Sequence, residues 1–158
     1  MKKGVLAGTF DPFTWGHYSV VEKSLELFSE IHILIADNPG KKCMFSKDLR
    51  QTICGLYFKD KPNVVIVSWE GLVVDYCKEI GAKYIIRGLR GSTDFGYENT
   101  MCHTNKIINP DVETMYFMTE SKYIGVSSSA VRELINNNYS YEKLERFVHP
   151  HVAKILAP

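Results

Sequence analysis

The 158-residue chain has almost no charge imbalance: 19 Lys and Arg face 18 Asp and Glu, for a formal net charge of +1. That balance gives no reason to expect nucleic acid or an anionic membrane as a bulk partner, so basic residues have to act by position rather than by number. No two of its four cysteines (Cys43, Cys54, Cys77, Cys102) form a C-x-x-C pair. A zinc knuckle or thioredoxin-type centre is thereby disfavoured, and reduced thiols in or near a core are expected. No apolar run approaches a membrane span, and the stretch after Lys2 and Lys3 is interrupted by Gly4, Gly8 and Asp11, too early for a signal peptide. A soluble, cytoplasmic protein is expected. The first apolar run is not followed by G-x-G-x-x-G, which argues against a dinucleotide-dependent oxidoreductase. No histidine pair has metal-ligand spacing with an acidic third partner. Repeats, low-complexity tracts and linkers are also missing, so residues 1–158 are expected to form a single domain.

What the chain does have is an alternation of short β-rich runs and amphipathic segments. Strands are predicted over Lys3–Ala7, Ile31–Ala36, Asn63–Ser68, Lys83–Arg87 and Glu113–Met118, with helices over Gly16–Ser29, Ser46–Phe58, Leu72–Ile80 and Thr93–Ile108 between them. Ser46 is a capping residue, Gly81 ends the third helix and Asn109-Pro110 the fourth. Helices over Ser127–Asn136 and Ser140–Val148 follow, and the His149-Pro150-His151 junction closes the chain. Strands alternating with helices imply an α/β, Rossmann-like doubly wound fold, a mostly parallel five-stranded sheet covered on both faces with a short helical C-terminal segment. In such a sheet, ligands lie beyond the carboxyl ends of the strands. The residues found there are Thr9 and His17, then Asp37 to Lys42, then Arg87-Gly88-Leu89-Arg90, and finally Thr119 to Ser129. Phosphate-binding residue types recur at these ends.

The densest signal is Gly8-Thr9-Phe10-Asp11-Pro12-Phe13-Thr14-Trp15-Gly16-His17. It joins a strand to a helix start, where free N–H groups receive phosphate. Thr14-Trp15-Gly16-His17 matches a T/H-x-G-H pattern. With Lys41-Lys42, Arg87-Gly88-Leu89-Arg90, Asp94-Phe95, Tyr97-Glu98 and Val126-Ser127-Ser128-Ser129 in order over roughly residues 3–135, the chain resembles the nucleotidyltransferase α/β phosphodiesterase superfamily. Within it, the chain looks like the bacterial phosphopantetheine adenylyltransferases. Ala7, where many relatives have proline, and the bulky Trp15 depart from the pattern without removing a polar group that the chemistry needs.

The resemblance implies transfer of AMP from ATP to 4′-phosphopantetheine, giving dephospho-coenzyme A and pyrophosphate with Mg²⁺ held mainly by ATP phosphates and water. It implies catalytic roles for His17, Thr9, Lys41 and Arg90. ATP would meet Thr9, Phe10, His17, Gly88, Leu89, Arg90, Glu98, Tyr123, Ile124, Gly125, Val126, Ser127, Ser128 and Ser129. The acceptor would meet Thr9, Lys41, Leu72, Val73, Arg87 and Asn105, with Met101 completing its pocket. No metal-ligating residue is implied. A homohexamer inhibited by coenzyme A, with no nucleic acid or membrane partner, completes the expectation. Nicotinate-mononucleotide adenylyltransferases and cytidylyltransferases are the nearest alternatives, but many carry histidine at the first motif position and lack the R-G-L-R segment in this form. An aminoacyl-tRNA synthetase fragment lacks room for its recognition domains, and a catalytically dead nucleotide-binding module would be expected to lose His17 or the arginines.

Overall fold

A computed structural model describes residues 1–37, 40 and 42–158. Among these residues, five strands form one sheet: β1 (Lys3–Gly8), β2 (Glu30–Ala36), β3 (Val64–Trp69), β4 (Tyr84–Leu89) and β5 (Glu113–Met118). All pairings are parallel and the order is β3-β2-β1-β4-β5. The intervening helices are α1 (Trp15–Leu25), α2 (Lys47–Leu56), α3 (Val73–Ile80) and α4 (Ser92–Ile108); a 3-10 turn over Ser121–Tyr123, α5 (Ser128–Asn136), α6 (Tyr141–Leu144) and α7 (Pro150–Leu156) follow β5.

Side chains alternate along each strand, so the central strands β1, β2 and β4 send buried residues to both faces of the sheet. Leu6, Ile31, Ile33, Ile35 and Ile86 join one apolar cluster that also takes Val20, Val21, Ile53 and the C-terminal residues Leu144, Val148 and Val152. Their neighbours Val5, Leu34 and Ile85 face the other way and pack with Val74, Tyr76 and Cys77 of α3. All four cysteines are free; Cys54 and Cys77 are buried, and burial pushes the Cys77 thiol up to about 11.

Two local differences from the sequence reading have simple causes. The first helix stops at Leu25 instead of Ser29, because Leu27 and Phe28 N–H both donate to Ser24 O and turn the chain, which still buries Phe28. The segment predicted as one helix over Ser140–Val148 is a single turn, α6, and the His149-Pro150-His151 junction opens a further helix, α7. Proline is well suited to the first helical position, where its missing N–H has no partner to lose. The predicted caps hold: Ser46 Oγ accepts from Leu49 N–H, and Gly81 adopts φ +68° at the end of α3, a conformation that costs glycine no Cβ clash.

Candidate active site

The strand order reverses direction between β1 and β4: the chain winds outward from β1 through β2 to β3, then crosses back to β4 and β5. The carboxyl ends of neighbouring strands therefore part there, leaving a crevice. A cavity of about 520 Å³ occupies it, and its walls are the end of β1, the starts of α1 and α5, the end of β4 and the inner face of α4.

His17 enters this cavity from the first turn of α1. Thr14 N–H donates to His17 Nδ1 at 3.0 Å, and Thr14 Oγ1 stands 3.1 Å from the same nitrogen. A nitrogen that accepts a backbone N–H carries no proton, so the neutral ring is the Nε2–H tautomer, with a donor left for the cavity. Phe10 and Phe13 pack on the imidazole, each with ring centroids 5.1 Å away. Burial, then the positive charges of Arg90 and Arg87, push the His17 pKa down to about 4. The ring is thus neutral at pH 7.

Two arginines at the end of β4 supply the charge. Arg87 is held by three hydrogen bonds, two to the Glu98 carboxylate at 2.6 Å and one to Ala7 O at 2.8 Å. Arg90 is exposed and braced by Asp94, which accepts from both its N–H at 3.0 Å and its Nε at 3.3 Å. On the opposite wall, Ser127 caps α5 by accepting from Ala130 N–H at 3.1 Å. Ser128 Oγ donates to Pro12 O at 2.7 Å, and Ser129 Oγ accepts from Arg132 at 3.1 Å. Two helix starts and two guanidinium groups converge on one space, an arrangement that suits a polyphosphate.

The cavity brings together Thr9, Phe10, His17, Val73, Arg87, Gly88, Arg90, Glu98, Asn105, Val126, Ser127, Ser128 and Ser129, with Met101 beside them. Leu89 is buried instead, and its carbonyl accepts from Thr119 N–H. Leu72 is largely exposed as the residue before α3, and Tyr123, Ile124 and Gly125 lie at the 3-10 turn outside the cavity lining. Lys41 lies outside the described residues.

The sequence reading missed the residues that hold this frame. Arg50 is 2% exposed and donates to Thr9 O, Phe45 O and Asp37 Oδ1. Asp37 also meets Lys47 at 2.6 Å, and the Lys47 and Arg50 contacts hold its carboxyl below the usual range. Asp11, also buried, accepts from Met44 and Phe45 N–H, while Arg132 donates to its carbonyl at 2.6 Å. Arg50 could have been found: it falls three and four residues before Ile53 and Cys54, so a cation occupies the buried stripe of α2. Asp11 lies inside the Gly8–His17 stretch, but nothing in its spacing announces the Met44 and Phe45 N–H groups that it receives.

Among the described residues no group of three or more His, Cys, Asp and Glu is placed to hold a metal ion. The cavity carboxylates Asp37, Asp94 and Glu98 are each engaged with a basic side chain. No described helix is long and apolar enough to cross a membrane.

Comparison with known proteins places these features in a wider set. A cytidylyltransferase-like family model matches residues 5–134. A phosphopantetheine adenylyltransferase from Flavobacterium psychrophilum is 42% identical over 144 residues, 91% of this chain and 95% of the relative. Among solved structures, a candidate nicotinate-nucleotide adenylyltransferase from Vibrio parahaemolyticus superposes with a TM-score of 0.73 at 18% identity, covering 99% of this chain and 92% of its own. A Plasmodium falciparum nicotinic acid mononucleotide adenylyltransferase, complexed with NaAD, gives 0.72 at 15% identity, covering 98% and 94%. At such identities the two structures speak to the fold alone.

Proposed function

Because the chain belongs to the cytidylyltransferase-like family, we propose that it transfers the adenylyl group of ATP to the phosphate of 4′-phosphopantetheine, giving dephospho-coenzyme A and pyrophosphate. The observation that carries this reading is the convergence of the His17 Nε2–H, Arg87, Arg90 and the starts of α1 and α5 on one cavity. The acceptor follows from the 42% identical relative, whose match spans nearly the whole chain.

An acceptor phosphate oxygen attacks the α-phosphorus in line, the bond to the bridging oxygen breaks, and pyrophosphate leaves with that oxygen. No protein nucleophile is needed, so catalysis consists of positioning two anions and neutralising the charge that grows between them. His17 donates from Nε2 to an α-phosphate oxygen, most strongly when the five-coordinate phosphorus carries its greatest charge. Arg90 and the N–H groups opening α5 receive the β- and γ-phosphates. Thr9, Arg87 and Lys41 hold the acceptor phosphate, and Val73, Met101 and Asn105 line the path of its pantetheine arm. When bound, Mg²⁺ would offset triphosphate charge; the engaged carboxylates of the cavity offer it no cage, so phosphate oxygens and water would hold it. A cytoplasmic homohexamer restrained by coenzyme A belongs to the same reading.

The test is pyrophosphate release with ATP, Mg²⁺ and 4′-phosphopantetheine, with pantetheine as the control. Release is expected only with the phosphorylated acceptor, and His17→Ala is expected to lower kcat by roughly 100- to 1000-fold while KM moves little. Release with nicotinate mononucleotide and none with phosphopantetheine would overturn the acceptor. A large KM change with kcat intact would remove His17 from the transition state.

A further inference from the structure

The last cavity-lining residue is Ser129, yet the chain beyond it is bonded to the turn that carries His17. Trp15 N–H donates to Phe147 O at 3.0 Å, and Trp15 Nε1 donates to Glu145 O at 3.2 Å. Tyr57 OH donates to Phe13 O at 3.1 Å and accepts from His149 N–H at 2.9 Å, so one hydroxyl ties α7 to the same turn. The rings repeat the connection: Trp15 packs on Tyr18, Tyr57 and His149 with centroids 5.2 to 5.7 Å apart. Leu144, Val148, Val152 and Ala153 are fully buried, which fixes the segment from behind.

Thr14 lies between the two residues so held, and its N–H is the group that keeps His17 in the Nε2–H tautomer. We infer that residues 141–157, acting through Trp15 and Tyr57, are a positioning element for His17: they fix the peptides on both sides of Thr14 and thereby the orientation of the imidazole. Trp15 and Tyr57 are positioning residues, not catalytic ones, since neither lines the cavity. The bulky residue at the variable position of T-W-G-H is then the anchor of a brace. The catalytic consequence rests on the function proposed above; the tautomer consequence does not.

The experiment uses the full chain, labelled with ¹⁵N-histidine, with His17 assigned by its absence in His17→Gln. Trp15→Phe deletes the indole N–H but keeps an aromatic ring, and Tyr57→Phe deletes one oxygen. Wild-type His17 is expected to show a single Nε2–H tautomer. Each folded variant is expected to show a mixture of tautomers and a kcat lower by roughly 10- to 100-fold, with both KM values within about twofold. Variants that melt earlier but keep a single tautomer and full kcat would show a merely structural role and overturn the inference. A wild-type protein that does not turn over phosphopantetheine overturns the proposed function, and the tautomer measurement then decides this inference alone.

Discussion

His17 pairs a strongly lowered pKa with a fixed direction. Its ring is neutral because burial and the two arginines disfavour the cation, and it is oriented because Nδ1 is taken by Thr14 N–H. The folded pKa of about 4 lies below the ordinary 6.5. Between those values the unfolded chain takes up a proton that the folded chain refuses. Stability is therefore complete above about pH 6.5, falls as pH drops toward 4, and is not lost further below it, a cost of about 3 kcal/mol. His149, also lowered by burial and by the neighbouring His151, adds to the same slope. Urea midpoints measured across this window should fall steeply in the wild type and less steeply in His17→Gln. Equal slopes would show that His17 titrates normally. The acid limb of kcat/KM, which reports the free enzyme, should likewise lie well below the usual histidine range.

At the scale of elements, the site is made by two helix starts meeting edge to edge. Gly16 marks that junction: a Cβ there would lie 3.1 Å from the carbonyl oxygen of Val126. The obstacle is backbone, which cannot rotate away as a side-chain tip could. Gly16→Ala is therefore expected to push the start of α5 from the start of α1, costing about 1–3 kcal/mol of stability. Because both starts face the cavity, the KM for ATP should rise by roughly tenfold. Titration of ATP into the variant, alongside its melting curve, checks both effects. An unchanged KM would mean that the α1–α5 contact does not shape the nucleotide site.

At the scale of the whole molecule, helix α4 is left without cover by the rest of the described fold. Every residue of the 17-residue helix α4 is at least partly exposed, although the helix walls the cavity. Ile107 is 82% exposed, and Phe95, Tyr97, Ile108 and Met118 are also bare. Among the described residues β5 pairs only with β4, so a sheet edge adjoins this patch. Bare apolar side chains on a helix beside an open sheet edge fit association with further copies, and the proposed hexamer would supply them. Light scattering should give about six times the 18.0 kDa chain, and Ile107→Asp should shift the mass downward. A wild-type mass of one chain would refute the hexamer.

Much of this was legible in the sequence because it depends on local physics. The alternation of strands and helices, the caps at Ser46 and Gly81 and the helix start at Gly16-His17 follow from apolar period, turn chemistry and capping, which act within a few residues. The strand-end rule then placed Thr9, Arg87, Arg90 and the three serines near one another without any coordinates. Contacts between distant residues were not legible. No spacing in the chain announces that Arg50 holds Thr9 and Asp37, that Arg87 is clasped by Glu98, or that Trp15 binds a segment 130 residues away. The order β3-β2-β1-β4-β5 decides which loops share the crevice, and packing on both sheet faces decides where the C-terminal helices dock. Local sequence was enough for the five strands, the helices between them and the kinds of groups at their ends, but not for the division of the C-terminal segment into α6 and α7. Tertiary structure alone decided which of those groups meet, since a hydrogen bond between remote residues exists only after the core has closed around both.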